Sequence, residues 1–150
     1  MKRFLTILSL LMVVALCAPA QNQNPIRWRM SVKMYTETEG TLTLRAIVEP
    51  GWHLYDTSMP ENGPRPTTFV FNSTGVKLLG NMTANRAAGI HHDEMFGLDL
   101  GWWDSDVSFS QKFTMDRHSG SKISVTVSYM GCDNKTCLPP SKQTLTYTFK

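Results

Sequence analysis

The sequence lacks most of the features that assign a chain to a chemistry at first reading. It has no internal repeat, no low-complexity tract and no segment with helical periodicity. It contains no phosphate loop, no dinucleotide fingerprint and no nucleophile motif. Beyond residue 20 it has no apolar run approaching the roughly 20 residues of a membrane-spanning helix. Charge is also scarce. The chain carries 15 Lys+Arg and 12 Asp+Glu. Lys2 and Arg3 sit in the opening segment, so the remainder balances at 13 minus 12, or +1. A near-neutral, scattered charge argues against nucleic acid as a partner and gives no polybasic membrane signal. With 3 cysteines among 150 residues, a disulfide-dense scaffold is excluded.

What is present begins with an export signal. Lys2 and Arg3 precede an apolar run at residues 4–16, and Ala18-Pro19-Ala20 fits a small-x-small cleavage site. Residues 1–20 are therefore expected to be a signal peptide, with 21–150 a single mature domain beginning at Gln21. Cys17 as a lipoprotein acceptor is disfavoured by the bulky Leu16 before it. The expected location is the periplasm, an oxidising compartment in which disulfides persist. Cys17 leaves with the signal, so Cys132 and Cys137 form the only mature pair.

The mature chain alternates with the period of half-buried strands. Leu42, Leu44, Ala46 and Val48 share a face, as do Ile123, Val125, Val127 and Tyr129, and again Leu145, Tyr147 and Phe149. Further strands are predicted at 28–36, 67–72, 76–79 and 107–115. Glu39-Gly40, Glu49-Pro50-Gly51, Ser73-Thr74-Gly75 and Ser119-Gly120-Ser121 separate them as turns. This spacing predicts an all-β sandwich. Two stretches do not alternate. Residues 56–66, with Pro60, Pro64 and Pro66, read as a connection. Residues 84–106 read as a long loop of functional interest, with Phe96, Trp102 and Trp103 arguing for order. At least one of the two tryptophans is expected in the core.

The cysteines flank the turn-rich Asp133-Asn134-Lys135-Thr136, so they are expected at a hairpin end with both sulfurs at a solvent-facing tip. Opposed strand residues lie within disulfide reach. Closing a loop of about six residues restricts the unfolded chain by only about 2 kcal/mol, against nearly 5 for about 100 residues. Such a bridge is a weak staple and an easily opened switch, although a local structural disulfide is the competing reading. Exchange needs a thiolate; Lys135 would favour one and Asp133 would oppose it. Pro139 and Pro140 remove two donors after Cys137 and stiffen the return strand.

Tyr129-Met130-Gly131-Cys132, a short turn, and Cys137-Leu138-Pro139-Pro140 together resemble the active-site hairpin of the N-terminal periplasmic domain of the thiol:disulfide interchange protein DsbD family. Gly51-Trp52-His53-Leu54-Tyr55 is similar to that family's Gly-aromatic-x-Leu-Tyr strand. His92-Asp93-Glu94-Met95-Phe96-Gly97 is similar to its cap loop. The resemblance covers residues 25–149. It implies an immunoglobulin-like β-sandwich with a cap loop over a cysteine hairpin, acting as a thiol–disulfide oxidoreductase module that carries electrons. It assigns attack to Cys137, resolution to Cys132, and shielding to Asp93, Glu94, Met95, Phe96 and Gly97. Tyr55, Tyr129, Lys135 and Pro139 are supporting candidates, with Tyr129 more readily read as core. Asp93 and Glu94 are either modulators of the thiols or solvated loop carboxylates. The implied partners are thioredoxin-fold periplasmic oxidoreductases and a separately encoded membrane electron donor, because the chain ends at Lys150 without those parts. A monomer is expected, with no cofactor. The sequence departs from the family in a cysteine spacing one residue shorter and in Met95 at the cap phenylalanine's place.

Two other readings stand beside this one. One is a non-catalytic immunoglobulin-like binding module with a structural disulfide. The other is a copper-handling domain drawing on His53, His91, His92 and the methionines. Copper(I) suits soft sulfur and imidazole ligands, but the methionines are dispersed and no metal-type spacing links the histidines to the cysteines, so no metal site is expected.

Overall fold

The computed structural model describes residues 24–116 and 118–150. The expected signal segment lies outside the described residues. Eleven strands and no helix account for the regular structure among the described residues. They are β1 (Ile26–Met34), β2 (Glu39–Val48), β3 (His53–Tyr55), β4 (Thr68–Phe71), β5 (Val76–Ala84), β6 (Gly89–Asp93), β7 (Leu98–Trp103), β8 (Val107–Met115), β9 (Lys122–Tyr129), β10 (Gly131–Cys132) and β11 (Ser141–Thr148). All pairings between these strands are antiparallel. They form a four-stranded sheet β1-β2-β8-β5, a second four-stranded sheet β10-β3-β7-β6 and a three-stranded sheet β11-β9-β4.

The alternation in the sequence becomes the inner face of a sandwich. Leu42, Leu44, Ala46 and Val48 of β2 and Val107, Phe109, Phe113 and Met115 of β8 meet Ile123, Val125, Val127 and Tyr129 of β9 in one core. Trp28 sits at its centre, with Phe69, Phe109 and Tyr129 around it at ring-centroid distances of 5.7 to 5.9 Å. Leu54 and Trp103 add the second four-stranded sheet to the same core. In β11, Leu145 and the following Phe149 pack inward, whereas Tyr147 is exposed at the sheet edge.

Two expectations change. Strand β5 runs to Ala84 rather than stopping at Leu79, because Gly80 supports a bulge instead of ending the strand. Gly80 takes φ 68°, and the buried Gln111 amide donates to the Leu79 carbonyl at 2.9 Å, satisfying the disrupted ladder. The predicted long loop at 84–106 is largely the hairpin β6–β7. Its β7 strand, Leu98–Trp103, is covered on both faces at its inner end, so it shows no polar alternation. Trp103 is the tryptophan in the core, and Trp102 lies half-buried on the other face.

Candidate redox site

The sheet β10-β3-β7-β6 has two faces with different fates. Leu54 and Trp103 point to the main core. The alternate residues His53, Tyr55, Leu100 and Trp102 look the other way and build a second cluster with Cys132. This explains why all three residues of β3 are buried: the short strand is covered on both sides.

The cysteine hairpin is pinned to β3. Gly131 pairs with Leu54 and Cys132 with His53. Cys132 is in turn bridged to Cys137, and the two sulfurs are bonded with Cα atoms 4.1 Å apart. The turn between them is closed by its own backbone and by Asp133. The Asp133 amide donates to the Thr136 carbonyl at 2.9 Å. Asp133 Oδ1 accepts from the amides of Lys135 at 2.8 Å and Thr136 at 2.6 Å. These two amide donors hold the Asp133 carboxyl below the usual carboxylate range. Asp133 thus serves the turn, and the Lys135 side chain is exposed. Pro139 is exposed as well, its carbonyl accepting from the Ser141 hydroxyl at 3.2 Å. A Cβ at Gly131 would lie 2.5 Å from Ile26 Cδ1, so a larger residue there would force the Ile26 side chain to shift.

The two sulfurs are not equivalent, which corrects the expectation of a shared solvent-facing tip. Cys132 is fully buried and Cys137 half-buried. Pairing with β3 draws the first cysteine beneath the cap and leaves the second on the rim.

The tip of the β6–β7 hairpin covers this cluster. Asp93 organises it and is buried, not a solvated loop carboxylate. Its Oδ1 accepts from the amides of Met95 at 2.9 Å and Phe96 at 3.1 Å. Its carbonyl accepts from the Gly97 amide at 2.7 Å, with Gly97 at φ 65°. Its Oδ2 accepts a 2.6 Å hydrogen bond from the Tyr55 hydroxyl. Burial, followed by this bond, pushes the Tyr55 hydroxyl far up, so Tyr55 remains a donor. Phe96 packs edge-on against Tyr55, with centroids 6.2 Å apart, and joins the cluster around Cys132. Met95 is 44% exposed and Glu94 is exposed. Phe96 therefore supplies the apolar cover that the sequence placed at Met95.

Tyr129 is in the main core rather than beside the sulfurs. Its hydroxyl accepts from the Asn24 amide at 2.6 Å and donates to the Ile26 carbonyl at 3.3 Å, and burial raises its pKa. His53 is the residue sequence reasoning passed over as anything but a metal ligand. It is 6% exposed, stacks on Trp102 at 4.2 Å and meets Tyr55 edge-on at 5.0 Å. Trp102 also stacks with His91 at 4.5 Å. Among the described residues, no group of three or more His, Cys, Asp or Glu side chains is placed to hold a metal ion.

The family model for the N-terminal part of the thiol:disulfide interchange protein DsbD matches residues 20–148. No curated protein matches the chain in sequence. The reduced N-terminal domain of DsbD from Neisseria meningitidis has a TM-score of 0.52 at 17% identity, covering 83% of this chain and 90% of that one. The N-terminal periplasmic domain of ScsB from Proteus mirabilis has a TM-score of 0.62 at 15% identity, covering 84% of this chain and 47% of that one. The chain thus spans about half of that ScsB chain. At these identities the likeness speaks for the fold, an immunoglobulin-like sandwich.

Proposed function

Because the chain belongs to the family of N-terminal domains of the thiol:disulfide interchange protein DsbD, we propose that it carries electrons in the periplasm by cycling Cys132 and Cys137 between disulfide and dithiol. Its partners are thioredoxin-fold oxidoreductases, with a membrane protein as the source of reducing power. The family's chemistry is thiol–disulfide interchange. What is specific here is which sulfur meets the partner, and how.

The observation that carries this reading is a local disulfide with one sulfur at the rim and the other sealed under a hairpin tip. Exchange requires an incoming thiolate to reach a sulfur and the other sulfur to leave. Cys137 is the one that can be reached. When a partner's thiolate bonds to Cys137 Sγ, the Cys132–Cys137 bond breaks and Cys132 departs as the leaving sulfur inside the cluster. The partner's second thiol then attacks its own sulfur in the mixed disulfide, and Cys137 is released. Two electrons have entered the pair. In the donating direction, the Cys137 thiolate attacks a partner disulfide and Cys132 resolves the mixed disulfide. The cap, held by Asp93 and packed through Phe96, limits access until a partner displaces it.

Equilibration in glutathione redox buffers tests the proposal. A carrier disulfide is expected to have a potential above the roughly −300 mV that marks structural bridges. A bridge that stays closed under mild thiol reductant in the folded chain would refute it.

A further inference from the structure

The exchange cycle leaves His53 without a role, yet its strand register places it directly opposite the buried cysteine. His53 opposes Cys132, and Cys132 opposes Cys137, so the three form one cross-strand row. Directly opposed residues on antiparallel strands send their side chains to the same face, with Cβ atoms about 4.5–5.5 Å apart. The imidazole is almost wholly buried, and its Nε2 has no hydrogen-bond partner among the described residues. A buried polar nitrogen left open in this way calls for an explanation. Beside it lies a cavity of about 70 Å³, bounded by His53 and Trp102, by Asp93 and Glu94 of the cap, and by Asp133 and Asn134 of the cysteine turn. Such a space has room for water.

The resting charge state follows from the surroundings. Burial lowers the imidazole's proton affinity below its usual 6.5; His91 acts in the same sense, and Asp93, Asp133 and Asp104 act against it. His92 and Glu94 also line the cavity. Burial prevails, so the ring is neutral near pH 7 and can accept a proton.

We propose that His53 is the general base that deprotonates Cys132 when this sulfur resolves a mixed disulfide. The inference rests on the exchange function proposed above. In the donating direction, the Cys137 thiolate first attacks the partner's disulfide, and the partner's displaced sulfur takes a proton from solvent. The Cys132 thiol then gives its proton to Nε2 of His53. The Cys132 thiolate bonds to Cys137 Sγ, the bond between Cys137 and the partner breaks, and the partner's second sulfur leaves as a thiolate. The proton on His53 passes to that thiolate or to cavity water. The cysteine pair is oxidised by two electrons, the partner's disulfide is reduced, and His53 ends neutral.

The experiment uses the full chain, reduced and then mixed with oxidised glutathione. Acid quenching and mass analysis separate addition at Cys137 from release of the second glutathione by Cys132. Direct attack by a free thiolate makes the release rate climb about tenfold per pH unit below the thiol's pKa, which is about 8.5 for a free cysteine. A neutral imidazole base instead gives the wild-type chain a plateau from about pH 6.5 towards that value. His53→Gln is expected to lose the plateau, slowing release on the order of 100-fold at pH 6.5 while leaving addition unchanged. His53→Asn should behave alike. A wild-type profile without a plateau would overturn the inference, and this arm needs no variant to fold. An unchanged release rate in His53→Gln would overturn it too. A wild-type chain that forms no mixed disulfide at all would remove the exchange function along with it.

Discussion

The Tyr55 hydroxyl and Asp93 Oδ2 lie 2.6 Å apart, joining the floor of the redox site to its cap across 38 residues of sequence. Asp93 also holds the tip amides of Met95 and Phe96. One carboxyl thus fixes both the shape of the cap and its seat on the sheet.

Removing that seat should loosen the cap without unfolding the domain. Tyr55→Phe leaves Asp93 Oδ2 buried without this donor, at a cost of about 1–3 kcal/mol. Urea unfolding should report that loss. Reduction of the disulfide by dithiothreitol should become faster. An unchanged reduction rate would show that access to the sulfurs does not depend on this bond.

The two apolar tip residues should differ in effect. Phe96 packs against Tyr55 in the cluster around Cys132, whereas Met95 is exposed. Phe96→Ala should lower stability by roughly 1–3 kcal/mol, the low side of aromatic truncations because the ring is only half-buried, and should speed reduction of the disulfide. Met95→Ala should change stability by less than about 0.5 kcal/mol. A larger effect at Met95 would reverse the assignment of the covering residue.

Cysteine replacements should be asymmetric. With Cys132→Ser, Cys137 remains half-buried at the rim and should accumulate mixed disulfides with thioredoxin-fold proteins. With Cys137→Ser, the remaining Cys132 is fully buried and should accumulate few. Non-reducing electrophoresis of periplasmic extracts after thiol quenching reads both. Equal trapping by the two variants would contradict the proposed division of labour.

Acid should weaken the fold through His53. Its folded pKa is lowered below 6.5 by burial, so between the two values the unfolded chain binds more protons. The histidine's contribution is complete above about pH 6.5 and is lost as pH falls through its folded pKa. Urea midpoints should therefore drop more steeply between pH 7 and pH 5 in the wild type than in His53→Gln. Parallel pH dependences would show that His53 accepts its proton without penalty.

Parts of this architecture were legible in the sequence, and others were hidden for physical reasons. Strands β8 and β9 stand where alternation puts them, because each has one face in the core and one less buried. The hairpin β6–β7 was invisible to the same test. The edge strand β6 is exposed along most of its length, and β7 is buried on both sides near Gly101. Pairing between these residues, not local pattern, makes them strands. The continuation of β5 was masked by Gly80-Asn81, which reads as a break until the Gln111 side chain is seen filling the bulge. The cysteine hairpin was readable from turn chemistry, but the unequal burial of its sulfurs was not, since it depends on pairing with β3. His53 gave no local signal at all. A histidine acquires meaning only once its cross-strand neighbour is known, and a search for histidines in register with the cysteines would have found it.

The sheet that carries the cysteines has its back to Leu54 and Trp103 of the main core and its front to the redox cluster. The floor of the site is therefore anchored by the whole domain, while the cover depends on one short turn and a handful of polar links. Substitutions in that turn are therefore expected to change how readily the sulfurs are uncovered while the fold endures.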